Sequence, residues 1–122
     1  MSGGFFQYKQ WQIDQIADDV ESYINKCDRK EEKDWGYEDQ SGKYIPYVYE
    51  ESEEVLNEFR KGLKILRQAF VYAKRIDYLL SGDDGDESFL EHLKQELEAL
   101  SAEEALDEMV RINQELGLYD ET

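Results

Sequence analysis

The sequence predicts an all-α protein, a bundle of about four main helices with a long irregular, aromatic-rich segment between the first two. Three observations carry this prediction. Apolar residues recur at spacings of three and four over most of the chain. Capping residues stand before several of these stretches. Strict apolar/polar alternation, the mark of a half-buried strand, is scarce.

The first helix is predicted over roughly residues 9–27. Ile13, Ile16, Ala17, Val20, Tyr23, Ile24 and Cys27 form one apolar stripe. Cys27 falls on that stripe, so it is expected to be a buried small apolar residue rather than a nucleophile. Residues 28–51 lose the periodicity. A charge run from Asp28 to Asp34 leads into Trp35-Gly36-Tyr37, Gly42 and Tyr44-Ile45-Pro46-Tyr47-Val48-Tyr49. The simplest expectation is a loop whose aromatics cover the core. The alternative is a short strand over 44–49, held to an edge by Pro46.

The second helix is predicted over 53–80. Ser52 can cap it, and Glu53 and Glu54 suit the positive end of its dipole. Leu56, Phe59, Leu63, Leu66, Phe70, Ala73, Ile76 and Leu80 form its stripe, which Ile65, Ala69, Tyr72 and Leu79 widen. So wide a face predicts a homo-oligomer, most simply a dimer built on this helix. Gly82 is a plausible stop. Ser88-Phe89-Leu90-Glu91 reads as a capping box opening a third helix to about Leu100. Ser101-Ala102-Glu103-Glu104 repeats the signature and opens a fourth, ending near Gly117.

With 122 residues the chain is expected to form a single domain, 1–122. No apolar run approaches the ~18 residues of a membrane span. The opening Met-Ser-Gly-Gly-Phe-Phe has no basic region followed by an apolar stretch, so no secretory signal is expected. One cysteine excludes an internal disulfide, which suits a reducing cytoplasm.

Thirty acidic residues against fourteen basic give a net charge of −16. Such a chain repels nucleic acid and anionic membranes over its average surface. Residues 60–75 are the exception: Arg60, Lys61, Lys64, Arg67, Lys74 and Arg75 stand there with no acid. On a helix Arg60, Lys64, Arg67, Lys74 and Tyr78 lie near one face, with Lys61, Gln68 and Arg75 at its border. Such a face suits phosphate oxygens and a stacked base. It equally suits a seam of ion pairs with the chain's own carboxylates.

Catalytic chemistry is poorly represented. His92 is the only histidine, and no nucleophilic triad or metal site is expected. A calcium loop starting at Asp84 would need glycine at Phe89 and a carboxylate at Gln95. Glu51-x-x-Glu54 and Glu104-x-x-Asp107 match the magnesium-binding spacing of all-α nucleotide pyrophosphatases. Among 30 acids such matches arise by chance. A non-enzymatic protein without cofactor is therefore expected.

The opening Met1 to Gln10, with Ile13 and Ile16-Ala17-Asp18-Asp19, resembles a family of small phage and prophage proteins. So does Arg75-Ile76-Asp77-Tyr78-Leu79-Leu80-Ser81-Gly82-Asp83-Asp84-Gly85 with Glu87-Ser88-Phe89-Leu90. Phe5 and Gln7 stand where that family has a histidine and an aspartate. The resemblance implies an accessory protein in the cytoplasm of a bacterial host, of a kind that often counters host defence. Two functions then follow as expectations. One is sequestration of an anionic nucleotide signal by Arg60, Lys64, Arg67, Lys74 and Arg75, with Phe5, Phe6, Tyr8 or Tyr78 stacking on bases. Asp77 would orient Arg75 or accept a ribose hydroxyl, and Gly3 and Gly4 would permit close backbone approach. The other is an acidic DNA mimic that occupies a host restriction or CRISPR enzyme through a surface including Asp83, Asp84, Asp86 and Glu87.

Overall fold

The structure is a computed structural model and describes residues 4–115. Its elements run α1 (Gln10–Arg29), β1 (Glu32–Glu38), β2 (Tyr44–Val48), α2 (Glu53–Leu80) and α3 (Asp86–Glu115). Three long helices and a two-stranded antiparallel sheet replace the expected four-helix all-α bundle. The described chain divides into two compact units. One is Asp14–Leu66; the other takes the residues up to Ile13 and those from Arg67 onward.

In the unit Asp14–Leu66 the core is small. Ile24, Cys27 and Leu56 are buried together, with Val20, Tyr23, Tyr49 and Leu63 packed against them. α1 ends where Lys30 adopts φ 52°. Its N–H reaches the Cys27 carbonyl, and the Glu31 N–H reaches that of Lys26. This paired closure usually uses glycine; here a lysine takes the left-handed position.

The segment 28–51 is therefore not irregular. β1 and β2 pair with Gly36 opposite Pro46 and Tyr37 opposite Ile45, after a bulge between Glu32 and Gly36. Pro46 is tolerated because a two-stranded sheet has only edge strands. Gly36 is required: a Cβ there would collide with the Ile45 carbonyl oxygen and Pro46. The turn is organised by Asp39, whose Oδ1 accepts the Ser41 and Lys43 N–H groups at 2.9 and 3.0 Å and the Ser41 hydroxyl at 2.6 Å. These bonds hold the Asp39 carboxyl below its ordinary pKa, Ser41 contributing most. Gly42 closes the turn at φ 86°.

α2 begins as its sequence predicts. The Ser52 hydroxyl accepts the Val55 N–H at 3.2 Å. At the other end Gly82, at φ 81°, lets the Gly82 and Asp83 N–H groups close on Leu79 and Tyr78.

α3 is one helix, not two. It starts two residues before Ser88, and the Gly85 carbonyl accepts the Phe89 N–H. Ser88 thus supplies the returning half of a capping box, its hydroxyl accepting the Gly85 N–H at 3.1 Å. Ser101 lies in mid-helix. No glycine or proline interrupts 86–115, and Ala, Leu and Glu dominate around Ser101, so the backbone has no reason to stop. The predicted stop near Gly117 lies outside the described residues, as does Gly3.

Candidate functional site

The sequence reading placed the aromatics of 35–49 over the core; most of them face solvent instead. Trp35, Tyr37, Tyr44 and Tyr47 are all more than two-fifths exposed. Side chains alternate along a strand, and Tyr37 lies opposite Ile45, so Tyr37, Ile45 and Tyr47 share one face; Trp35 stands beside it in the bulged stretch of β1. The Tyr37 and Tyr47 rings lie 5.4 Å apart. Lys33 Nζ sits 5.1 Å from the Trp35 ring and 5.2 Å from that of Tyr49. Tyr49 in turn packs edge-on against Tyr23 at 5.8 Å. The hairpin face is thus rooted in the core at Tyr49 and open to solvent at its outer end. Exposed carboxylates on the same strand, Glu32, Asp34 and Glu38, outnumber the nearby cations Lys33 and Lys43.

Sequence reasoning missed this platform because Trp35-Gly36-Tyr37 follows a charge run and Gly36 breaks the alternation. The signal that was available is the aromatic at every second position, 35 and 37 on one strand, and 47 on the other with 49 just beyond its end.

The same unit contains an apolar groove of about 540 Å³ between α1 and α2. Ile16, Val20, Phe59, Gly62 and Leu66 line it. Asp19 and Glu58, both exposed, line it as well. At one end the Tyr23 hydroxyl donates to Glu51 Oε2 at 2.6 Å. That bond, reinforced by burial, raises the phenol's pKa. Cys27 beneath it is buried, and burial raises its thiol pKa.

The residues of the basic island are engaged by the chain's own groups. In the unit Asp14–Leu66, Arg60 pairs with Asp28 at 3.3 Å and Glu53 at 3.2 Å. Lys61 pairs with Glu58 at 2.8 Å. In the other unit Lys74 and Arg75 converge on Glu96, at 2.9 and 3.6 Å. The Arg75 guanidinium lies 4.6 Å from the Tyr78 ring, and its Nε is buried without a hydrogen-bond partner. Lys64 and Arg67 also have interactions of their own.

Asp77 is buried, and it holds the N-terminal segment. Its Oδ1 accepts the Phe6 N–H at 2.9 Å, while the Ser81 hydroxyl accepts the Phe5 N–H at 2.8 Å. Gly4 sits at φ 60° against the carboxylate, and a Cβ there would lie 2.7 Å from Oδ2. Gln7 and Tyr8 continue the turn at positive φ. Phe5 and Tyr8 are exposed; Phe6 packs edge-on against Phe5 at 5.3 Å.

The acidic loop divides in two. Asp83, Asp86 and Glu87 are exposed. The Asp84 side chain is only 6% exposed. It accepts the Ser88 hydroxyl at 2.5 Å and lies 3.4 Å from His92 Nδ1. The Ser88 bond does most to hold its pKa below the ordinary value; His92 and Arg75 assist and burial opposes. Ser88 is bonded to Asp84 and not to His92, so these three do not form a nucleophile-base pair. Among the described residues no group of three or more His, Cys, Asp or Glu side chains is placed to hold a metal ion. Within the same residues no helix is long and apolar enough to cross a membrane.

Compared with known protein families, curated proteins and solved structures, the chain matches none.

Proposed function

We propose that this chain is a non-enzymatic, phage-type accessory protein that blocks a host DNA-processing defence enzyme by occupying a basic surface of it. One observation carries the reading: the hairpin exposes Trp35, Tyr37 and Tyr47 to solvent on strands whose exposed charges are mostly carboxylates, Glu32, Asp34 and Glu38. Tryptophan and tyrosine are enriched among the residues that anchor protein interfaces, and a contiguous exposed apolar cluster marks an interaction site. Carboxylates around them select a cationic partner and repel nucleic acid. A nucleic-acid channel supplies that cationic surface. Ion pairing within the chain agrees, because it leaves Arg60, Lys74 and Arg75 facing carboxylates rather than open solvent.

The test is inhibition of DNA cleavage by purified restriction or CRISPR enzymes. Trp35→Ala and Tyr47→Ala should each weaken inhibition by about tenfold or more, the scale of an interface hot spot. Inhibition that survives both substitutions would remove the hairpin from the interface.

A second reading, sequestration of an anionic nucleotide, is favoured by Arg75. Its Nε is buried and unbonded beside Lys74, and its guanidinium is held over Tyr78. Under that reading Arg75→Ala loses about 1.5–3 kcal/mol of ligand affinity with the fold intact, the scale of a charged hydrogen bond. Incubation with nucleotide signals, followed by denaturation and recovery of intact ligand, separates it from the first.

A further inference from the structure

Lys33 is the one cation of β1. Acids outnumber bases 30 to 14 in this chain, so carboxylates are not in short supply. Yet among the described residues neither Lys33 nor Lys26, in the last turn of α1, stands at ion-pair distance from one. Both turn to ring faces instead. Lys33 Nζ lies 5.1 Å from the Trp35 centroid and 5.2 Å from that of Tyr49, and Lys26 Nζ lies 5.2 Å from Tyr49. These distances are inside the ~6 Å at which a ring face attracts a cation.

The two rings around Lys33 are held differently. Tyr49 is fixed: its N–H donates to the Glu31 carbonyl at 2.8 Å, and its ring packs edge-on against Tyr23 and on the core. Trp35 is 55% exposed and stands in the bulged stretch of β1. One wall of the pair is anchored and the other is open to solvent.

We propose that Trp35 and Tyr49 form a cation site for an arginine side chain of a partner protein, and that Lys33 occupies it until the partner binds. The site deepens the inhibitory reading and rests on it for the source of the arginine. Arginine is the favoured occupant because a guanidinium is planar, stacks on an aromatic face and is more weakly hydrated than an ammonium. Lys33, once displaced, is flanked in sequence by exposed Glu32 and Asp34, so its charge returns to solvent beside carboxylates.

An octapeptide of alternating glycine and arginine tests the site on the full chain, with its citrulline counterpart as a neutral copy of the same shape. Binding is read from the Trp35 indole N–H resonance and the backbone N–H resonances of the hairpin. The arginine peptide should move the indole signal and the citrulline peptide should not. Trp35→Leu keeps apolar bulk without the ring and should weaken arginine-peptide binding about threefold or more. Lys33→Ala should tighten it about two- to fivefold, the scale of one exposed cation–π contact. Lys33→Gln, which drops the charge but keeps most of the length, should tighten it likewise. Lys43→Ala removes the same charge from elsewhere on the hairpin and should tighten it less. An equal response to the two peptides overturns the proposal. So does weaker binding by both Lys33 variants, which would make the lysine a prop for the ring rather than an occupant of its face. An enzyme whose inhibition needs Trp35, with no arginine response at that indole, overturns this site and leaves the inhibitory reading in place. An arginine response with no DNA-processing enzyme inhibited supports the site and removes that reading.

Discussion

Asp77 shows how a residue can be singled out by sequence for one role and built into another. The two blocks that carried the phage-family resemblance meet at this carboxylate: Gly4, Phe5 and Phe6 from the first, Asp77 and Ser81 from the second. Their co-occurrence in one chain was visible; the reason for it was not, because a backbone N–H bound by a distant side chain leaves no periodic trace. Asp77→Ala leaves the part-buried Phe6 N–H without its acceptor. It should cost about 1.5–3 kcal/mol in denaturant unfolding, the scale of a bond to a charged group, whereas Asp77→Asn keeps an acceptor oxygen and should cost less. Equal losses in the two variants would count against the tether. Asp84 gives a pH prediction at the same scale. Its folded pKa is lowered, so its contribution is full above the ordinary carboxyl value of about 3.9 and lost as pH falls through the folded value. Asp84→Asn should therefore flatten the acid limb of melting temperature against pH. An unchanged acid limb would show that other carboxylates set it.

At the scale of elements, α2 was legible to its ends because its stripe, cap and glycine stop all agree. α3 was split in the reading for a physical reason. Its first half buries one stripe through Phe89, Leu93, Leu97 and Leu100, each at most partly exposed. Continued at helical spacing, that stripe reaches Glu104, Asp107 and Arg111. Apolar residues resume on the opposite face as Leu106, Met109, Val110 and Ile112, all exposed. A change of face looks like a new helix when only periodicity is read, and Ser101 stands at the change like a cap. The sign of one substitution decides the matter. A serine N-cap replaced by alanine costs about 1 kcal/mol. A mid-helix serine replaced by alanine gains up to about 0.5 kcal/mol. Ser101→Ala should therefore raise the melting temperature, and a fall would restore the four-helix reading. Of the hairpin, β2 was legible as the alternative edge strand over 44–49, whereas β1 was not, since it carries glycine and charge where β-propensity expects branched residues. Gly36→Ala should abolish the hairpin, read as loss of the near-ultraviolet circular dichroism of Trp35 and its tyrosine neighbours.

For the whole molecule the decisive quantity is the net charge of −16. Even with every one of the fourteen cations matched to a carboxylate, sixteen acids remain without a cation. α3 alone sets ten acids against Lys94 and Arg111 over 30 residues. Like charges at this density oppose the compact state. Surface ion pairs such as Lys61–Glu58 support it by only about 0–1 kcal/mol each. Salt weakens both, but the excess of repulsions over attractions means that screening should help the fold. Raising NaCl from about 0.02 to 0.5 M shortens the Debye length from roughly 20 Å to under 5 Å. It should raise the melting temperature. The proposed complex should respond with the opposite sign, because screening weakens an acidic surface's hold on a basic channel. Inhibition of the target enzyme, measured as half-inhibitory concentration against NaCl at salt levels the enzyme alone tolerates, should weaken over a range in which the inhibitor itself becomes more stable. Trp35→Ala should lower affinity while leaving that salt slope in place, since the ring contributes apolar contact rather than charge. Glu32→Lys with Glu38→Lys should flatten the slope. If salt leaves inhibition unchanged, the acidity only keeps the chain in solution, and the hairpin aromatics alone must account for binding.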